Sequence, residues 1–158
     1  MDGSIEQVLS QALEPPSSSA IKSSVSSLVM LRALNSEEEL TPLGTNLAKI
    51  PIDVQLAKMI LYAAMLRCLD PVLTIAASMG NQSPFLSPIN QREEARRAHQ
   101  KLCVEKSDHL SLLKAYHKWT QAVSDKKERV FCNVNYLSNT AFQQIILRKK
   151  QFVELLAE

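Results

Sequence analysis

The chain has 158 residues, 46% of them apolar, and carries 18 Lys/Arg against 16 Asp/Glu for a formal net charge of +2, which is material for one compact domain or two small ones. Cys68, Cys103 and Cys132 are far apart and lack a CxxC partner, so they suggest neither a disulfide framework nor a thiolate metal site and fit a reducing, intracellular compartment. No stretch reaches the roughly 20 uninterrupted apolar residues of a membrane helix, and Met1-Asp-Gly-Ser4 lacks the basic residues and apolar run of a secretory signal.

Charge is unevenly spread, with five Lys/Arg and eight Asp/Glu in residues 1–90 but thirteen and eight in residues 91–158. The second part is the basic one. Three glycines and abundant Leu, Ala, Lys and Glu favour helices. Ile5, Val8, Leu9, Ala12 and Leu13 recur at helical spacing until Pro15-Pro16 ends the segment. Ser17 to Ser19 offer caps for a second helix carrying Ile21, Val25, Leu28 and Leu31 or Arg32. Between Leu34 and Leu40 the polar run Asn-Ser-Glu-Glu-Glu predicts a small wing with an edge strand at each side. Thr41 is placed to cap, and Pro42 to begin, a short helix to about Lys49, which completes a winged-helix-like unit of about fifty residues.

Pro51 disfavours helical geometry at Ile50, and Asp53 can cap the next helix, which is apolar on most sides and therefore predicted to be buried. The stretch Leu40–Met79 is the longest apolar one and joins two differently built parts. Asp70-Pro71 starts another largely buried helix ended by Gly80, and Asn81–Pro88 reads as a loop with two prolines. Gln91–Cys103 reads as an exposed charged helix in which Glu93 faces Arg97 and Glu94 faces Arg96. Ser107-Asp108 caps a helix with Leu112, Tyr116, Trp119 and Val123 on one stripe. After the polar linker Ser124–Arg129 comes a short helix over Val130–Leu137. A final amphipathic helix follows, with Phe142, Ile145, Ile146, Phe152, Val153 and Leu156 on one side and a belt of Arg148, Lys149 and Lys150.

Few residues offer chemistry. Ser107, Asp108 and His109 are the residue types of a hydrolase triad, but neighbours on a helix point in different directions and cannot form the relay, so capping is the simpler role. His99, His109 and His117 lack acidic partners at metal-ligand spacing. Tyr116 and Trp119 can stack on bases or fill a core. Arg92, Arg96, Arg97 and Lys101 lie at helical spacing, and with Lys106, Arg148, Lys149 and Lys150 they are candidates for contacts to backbone phosphates or for a solvated face. The acids Glu37 to Glu39 argue against a wing that touches nucleic acid.

A dozen colinear pieces carry a resemblance across essentially the whole chain. They are Leu13-Glu-Pro-Pro16, Leu31-Arg-Ala-Leu34, Leu40-Thr-Pro-Leu-Gly44, Leu47-Ala-Lys-Ile-Pro51, Ala57-Lys-Met-Ile60, Cys68, Leu73-Thr-Ile-Ala-Ala77, Ser83-Pro-Phe85, Ser107-Asp-His-Leu110, Tyr116 with Trp119, Phe131-Cys132 and Asn135-Tyr-Leu137. In order and spacing they resemble the region after the second RecA-like lobe of DEAH-box RNA helicases. Ser87 stands where splicing-type members carry Arg, which brings the resemblance closer to the non-splicing branch, and Phe131 stands where Trp is frequent.

The resemblance implies a mainly α fold, a winged-helix domain over residues 1–52 followed by a helical-bundle or ratchet domain over residues 53–158. It further implies an accessory region that walls a channel for single-stranded RNA, binds it without regard to sequence, and couples it to RecA-like lobes working 3′ to 5′. An oligonucleotide-binding-fold domain and a protein activator are the other partners it implies. No phosphate loop, Asp-Glu-Ala-His string or arginine finger is present, so no cofactor is expected here, and ATP and Mg are expected in the motor lobes of a parent protein. The rival is a free-standing winged-helix or helical scaffold for duplex DNA or protein. Against it, the second helix offers mostly Ser, Val and Leu, with Lys22 and Arg32 at its ends, where base reading needs basic and amide side chains.

Overall fold

A computed structural model describes residues 4–80 and 82–157. The chain is mainly α and divides into two compact units, Met1–Lys58 and Met59–Glu158.

In the first unit, α1 (Ile5–Leu9) is opened by a Ser4/Gln7 capping box, and α2 (Ser18–Met30) by Ser17, whose hydroxyl accepts from the Ala20 amide. The expected run of α1 through Leu13 is not realised. Leu13 is fully exposed, so no burial offsets the cost of extending a short helix past Leu9.

The wing also differs from expectation, because only a single antiparallel bridge, Leu34 to Leu40, stands where two edge strands were predicted. The Asn35 carboxamide oxygen accepts from the Glu37 and Glu39 amides at 3.0 and 2.8 Å, and this side-chain turn takes the donors that a longer ladder would use. Glu38 is more than a solvated tip, since its carboxylate accepts the Ile5 amide at the start of α1 at 3.2 Å.

α3 (Pro42–Leu47) begins as expected. Thr41 accepts the Gly44 amide at 2.9 Å while its own hydroxyl donates to the Arg32 carbonyl, and Pro42 takes the first turn. Gly44 lies so near the Ala33 carbonyl that a Cβ there would stand 1.9 Å from its oxygen.

α4 (Val54–Met65) is capped by Asp53, whose carboxylate accepts from the Gln55 and Leu56 amides. It is buried along one stripe only, Ala57, Ile60 and Ala63, whereas Met65 is 70% exposed, which corrects the expectation of burial on most sides. The apolar sequence therefore supplies an outward-facing surface as well as a core stripe.

In the second unit, α5 (Leu69–Met79) packs on α7 (Asp108–Ser124) and α9 (Asn139–Ala157), with α8 (Glu128–Asn135) against α6 (Arg92–Gln100), α7 and α9. The core holds Phe142, Ile145, Leu73, Ala77 and Leu102, with Trp119 and Phe142 stacked at 5.1 Å. The Trp119 indole donates to the Asn139 carboxamide at 2.8 Å, so both aromatics of α7 are core residues rather than bases' platforms. The predicted apolar stripe of α7 is shifted at its end, where Ala122 is buried and Val123 exposed.

α8 closes with Tyr136 in the left-handed region at φ 52° and a Leu137 amide to Cys132 carbonyl bond, a helix-ending turn that delivers the chain to α9. The loop of residues 82–88, whose predicted first residue Asn81 lies outside the described residues, is pinned to this corner. Leu86 donates to the Tyr136 carbonyl, Ser138 donates to that of Pro84, and Phe85 bridges Leu137. Among the described residues no helix is long and apolar enough to cross a membrane.

Candidate nucleic-acid interface

α6 follows a single 3-10 turn, Ile89–Gln91, and carries Glu93 and Glu94 in its first turn, where negative charge suits the helix dipole. Ala95 is completely buried and fixes which side of α6 faces inward. Helical periodicity then lines up Arg92, Arg96 and His99 along one border, with Cys103 just past the helix end. That border, the loop residues Ser83, Phe85 and Ser87, the end of α5 at Ser78 and Met79, and the start of α7 at Asp108, His109 and Leu112 enclose a groove of about 720 Å³. Its lining is mostly apolar, with Met79, Phe85 and Leu112 standing among the charged, hydroxyl and imidazole side chains.

His99 is held rather than loose. Its Nε2 lies 3.1 Å from the Tyr136 carbonyl oxygen, which only accepts, so Nε2 carries the proton, and Phe85 packs edge-on against the ring at 5.0 Å. Two histidines that look scattered along the sequence thus line one groove, because α6 and α7 meet there. Among the described residues they form no group able to hold a metal ion. Ser107 acts as the α7 cap, accepting the Leu110 amide at 3.2 Å, so the Ser-Asp-His string forms no relay.

Arg96 is tied to Glu93 at 3.0 Å, one turn away, in place of the expected Glu94–Arg96 and Glu93–Arg97 pairs. Positions two apart project to different sides of a helix, and Glu93 is taken by the partner three residues on. Arg92 lines the groove, and Arg97, Lys101 and Lys106 are exposed on the same segment; none of the four has an ion-pair partner among the described residues.

The basic belt of α9 divides. The Arg148 guanidinium lies 3.3 Å from where a Gly80 Cβ would stand, at the end of α5 that borders the groove, and 5.9 Å over Phe152. Lys149 turns inward and donates to Asp70 and to the fully buried Thr74, both at 2.8 Å, over the Tyr116 ring. Lys150 lines a separate cavity with Tyr116 and Glu154. Burial, and secondarily the Asp70 charge, raise the Tyr116 pKa above its ordinary value, so its phenol stays neutral. The eight candidates therefore do not form one patch. Arg92 and Arg96 share the groove, Arg97, Lys101, Lys106 and Arg148 lie by it or on its segment, and Lys149 is engaged internally.

The model of the helicase associated domain (HA2), winged-helix, matches residues 24–52, and that of the ratchet-like helicase associated domain (HA2) matches residues 53–112. The chain is 40% identical to the DExH-box ATP-dependent RNA helicase DExH1 of Arabidopsis thaliana over 99% of this chain and 16% of the relative. It is 39% identical to the ATP-dependent DNA/RNA helicase DHX36 of Homo sapiens over 96% of this chain and 15% of the relative. The chain spans between 11% and 16% of the length of the curated relatives it matches. By these matches the chain belongs to the DEAH-box/DExH RNA helicase family, as its helicase-associated region of winged-helix and ratchet-like domains.

Proposed function

We propose that this chain serves as the accessory C-terminal region of an ATP-dependent 3′-5′ RNA helicase, with residues 1–52 as winged helix and residues 53–158 as ratchet. The ratchet walls a channel for single-stranded RNA, and the winged helix couples it to RecA-like lobes that hold ATP and Mg elsewhere in a parent protein. The reading is supported above all by the groove between α6, α7 and the residue 82–88 loop. It offers Arg92 with unpaired cations beside it, and hydroxyl, amide and imidazole groups suited to phosphate and 2′-hydroxyl oxygens. Its formal charges cancel, Arg92 and Arg96 against Glu93 and Asp108, so affinity comes from few phosphates and is weak for one wall of a channel.

The test is the salt dependence of binding to labelled oligo-U, measured for the 158-residue chain and for Arg92→Ala and Lys101→Ala variants. Sequence-blind binding is expected, with a log–log slope that falls by about one for each phosphate contact removed. Tighter, sequence-selective binding of duplex DNA would replace this reading with that of a free-standing winged-helix regulator.

A further inference from the structure

Away from that groove, α7 and α8 leave a second cleft between them of about 450 Å³. Its floor is Ala122 and Phe131, and one wall is formed by Val130 and Val134, one helical turn apart and 63% and 66% exposed. These two valines conflict with local preference. β-Branched residues are poor helix formers, and α8 is only eight residues long and buries Cys132, not the valines, against the unit. Two largely exposed valines in such a helix bring little burial to this chain, the kind of local inconsistency that marks a functional surface.

The cleft's charge is net positive, with Lys118 and Lys127 lining it against Asp125, and exposed Lys126 and Arg129 and half-buried Glu128 on the adjoining segment. Val130 and Val134, the cleft's most exposed apolar groups, offer no donor to a phosphate, and its one ring, Phe131, is only partly exposed, so an apolar occupant suits the cleft better than RNA.

We propose that this cleft docks one amphipathic helix of a partner protein, its apolar edge against Val130, Phe131 and Val134 and its acidic flanks toward Lys118 and Lys127. A cleft between two helices accepts a third through apolar residues at i, i+3, i+4 and i+7. The surface is independent of the RNA groove, and the two readings can fail separately.

The probe is a synthetic helical peptide with leucines at that spacing and glutamates on both flanks, compared by fluorescence anisotropy with an isomer flanked by lysines. The Glu peptide is expected to bind the full chain about fivefold or more tighter than the isomer, a preference that Lys118→Glu with Lys127→Glu reverses. Val134→Asp and the milder Val130→Thr are expected to weaken it, the former by about tenfold, with circular dichroism and oligo-U affinity unchanged because both positions are exposed. Equal affinity for both isomers, indifference to Val134→Asp in a folded variant, displacement of the peptide by oligo-U, or occupation of the cleft by a second copy in sedimentation would each overturn the proposal.

Discussion

The Lys149 ammonium on α9 sits 2.8 Å from the Asp70 carboxylate on α5, seventy-nine residues earlier in the chain. The pair is asymmetric. The lysine side chain is 14% exposed and the aspartate 74%, and the same ammonium also bonds buried Thr74 and lies over Tyr116. Lys149→Ala should therefore cost about 1–3 kcal/mol, since it removes the donor to a buried hydroxyl, left with only its bond to the Asp70 carbonyl, and a packed stem, whereas Asp70→Asn should cost less than about 1 kcal/mol. Urea unfolding of the two variants checks the difference, and neither should alter the salt slope of RNA binding.

Asn139→Ala tests the aromatic centre of the ratchet unit. It leaves the Trp119 indole N–H without its acceptor inside the core, at a cost of about 1–3 kcal/mol. Urea unfolding followed by Trp119 fluorescence reads that cost directly.

Gly44→Ala sets two effects against each other. Helix propensity alone would gain about 1 kcal/mol. The new methyl, however, would meet backbone, the Ala33 carbonyl oxygen, at 1.9 Å, so the change should destabilise the first unit by about 3 kcal/mol or more. Proteolysis confined to residues 4–58 at mild urea would be the readout.

Burial, helped by Glu128, pushes the Cys132 thiol from 9.0 up to about 11. An acid whose pKa is raised on folding binds its proton more tightly in the native state. Its contribution is complete below about pH 9 and declines as pH rises toward 11. Tyr116, raised in the same direction, adds to the same alkaline loss. Denaturation midpoints between pH 8 and about 11 should fall, and fall less in Cys132→Ala; exposed Cys103 should react with a thiol reagent well before Cys132.

Much of the fold was legible in the sequence because it is written in local rules. Ser17, Thr41, Asp53 and Ser107 all cap the helices they precede, and Gly80 ends α5 as expected. What local rules miss is competition and long range. Asn35 diverts the amides of the wing, which composition alone reads as strands. Lys149 reads as one of three belt cations, and only the approach of α5 turns it inward. The groove was half legible. Arg92 and Arg96 were visible as a helical border, but His99, His109 and Phe85 join them only because α6, α7 and the loop converge, a contact that no periodicity within one segment encodes.

The most direct test of the account is to cross-link 4-thiouridine-substituted single-stranded RNA to the folded chain and locate the adducts by mass spectrometry. Adducts between Ser83 and Lys106, on the loop and α6, are the predicted result. Adducts confined to α2 and the wing, with none on α6, would contradict it.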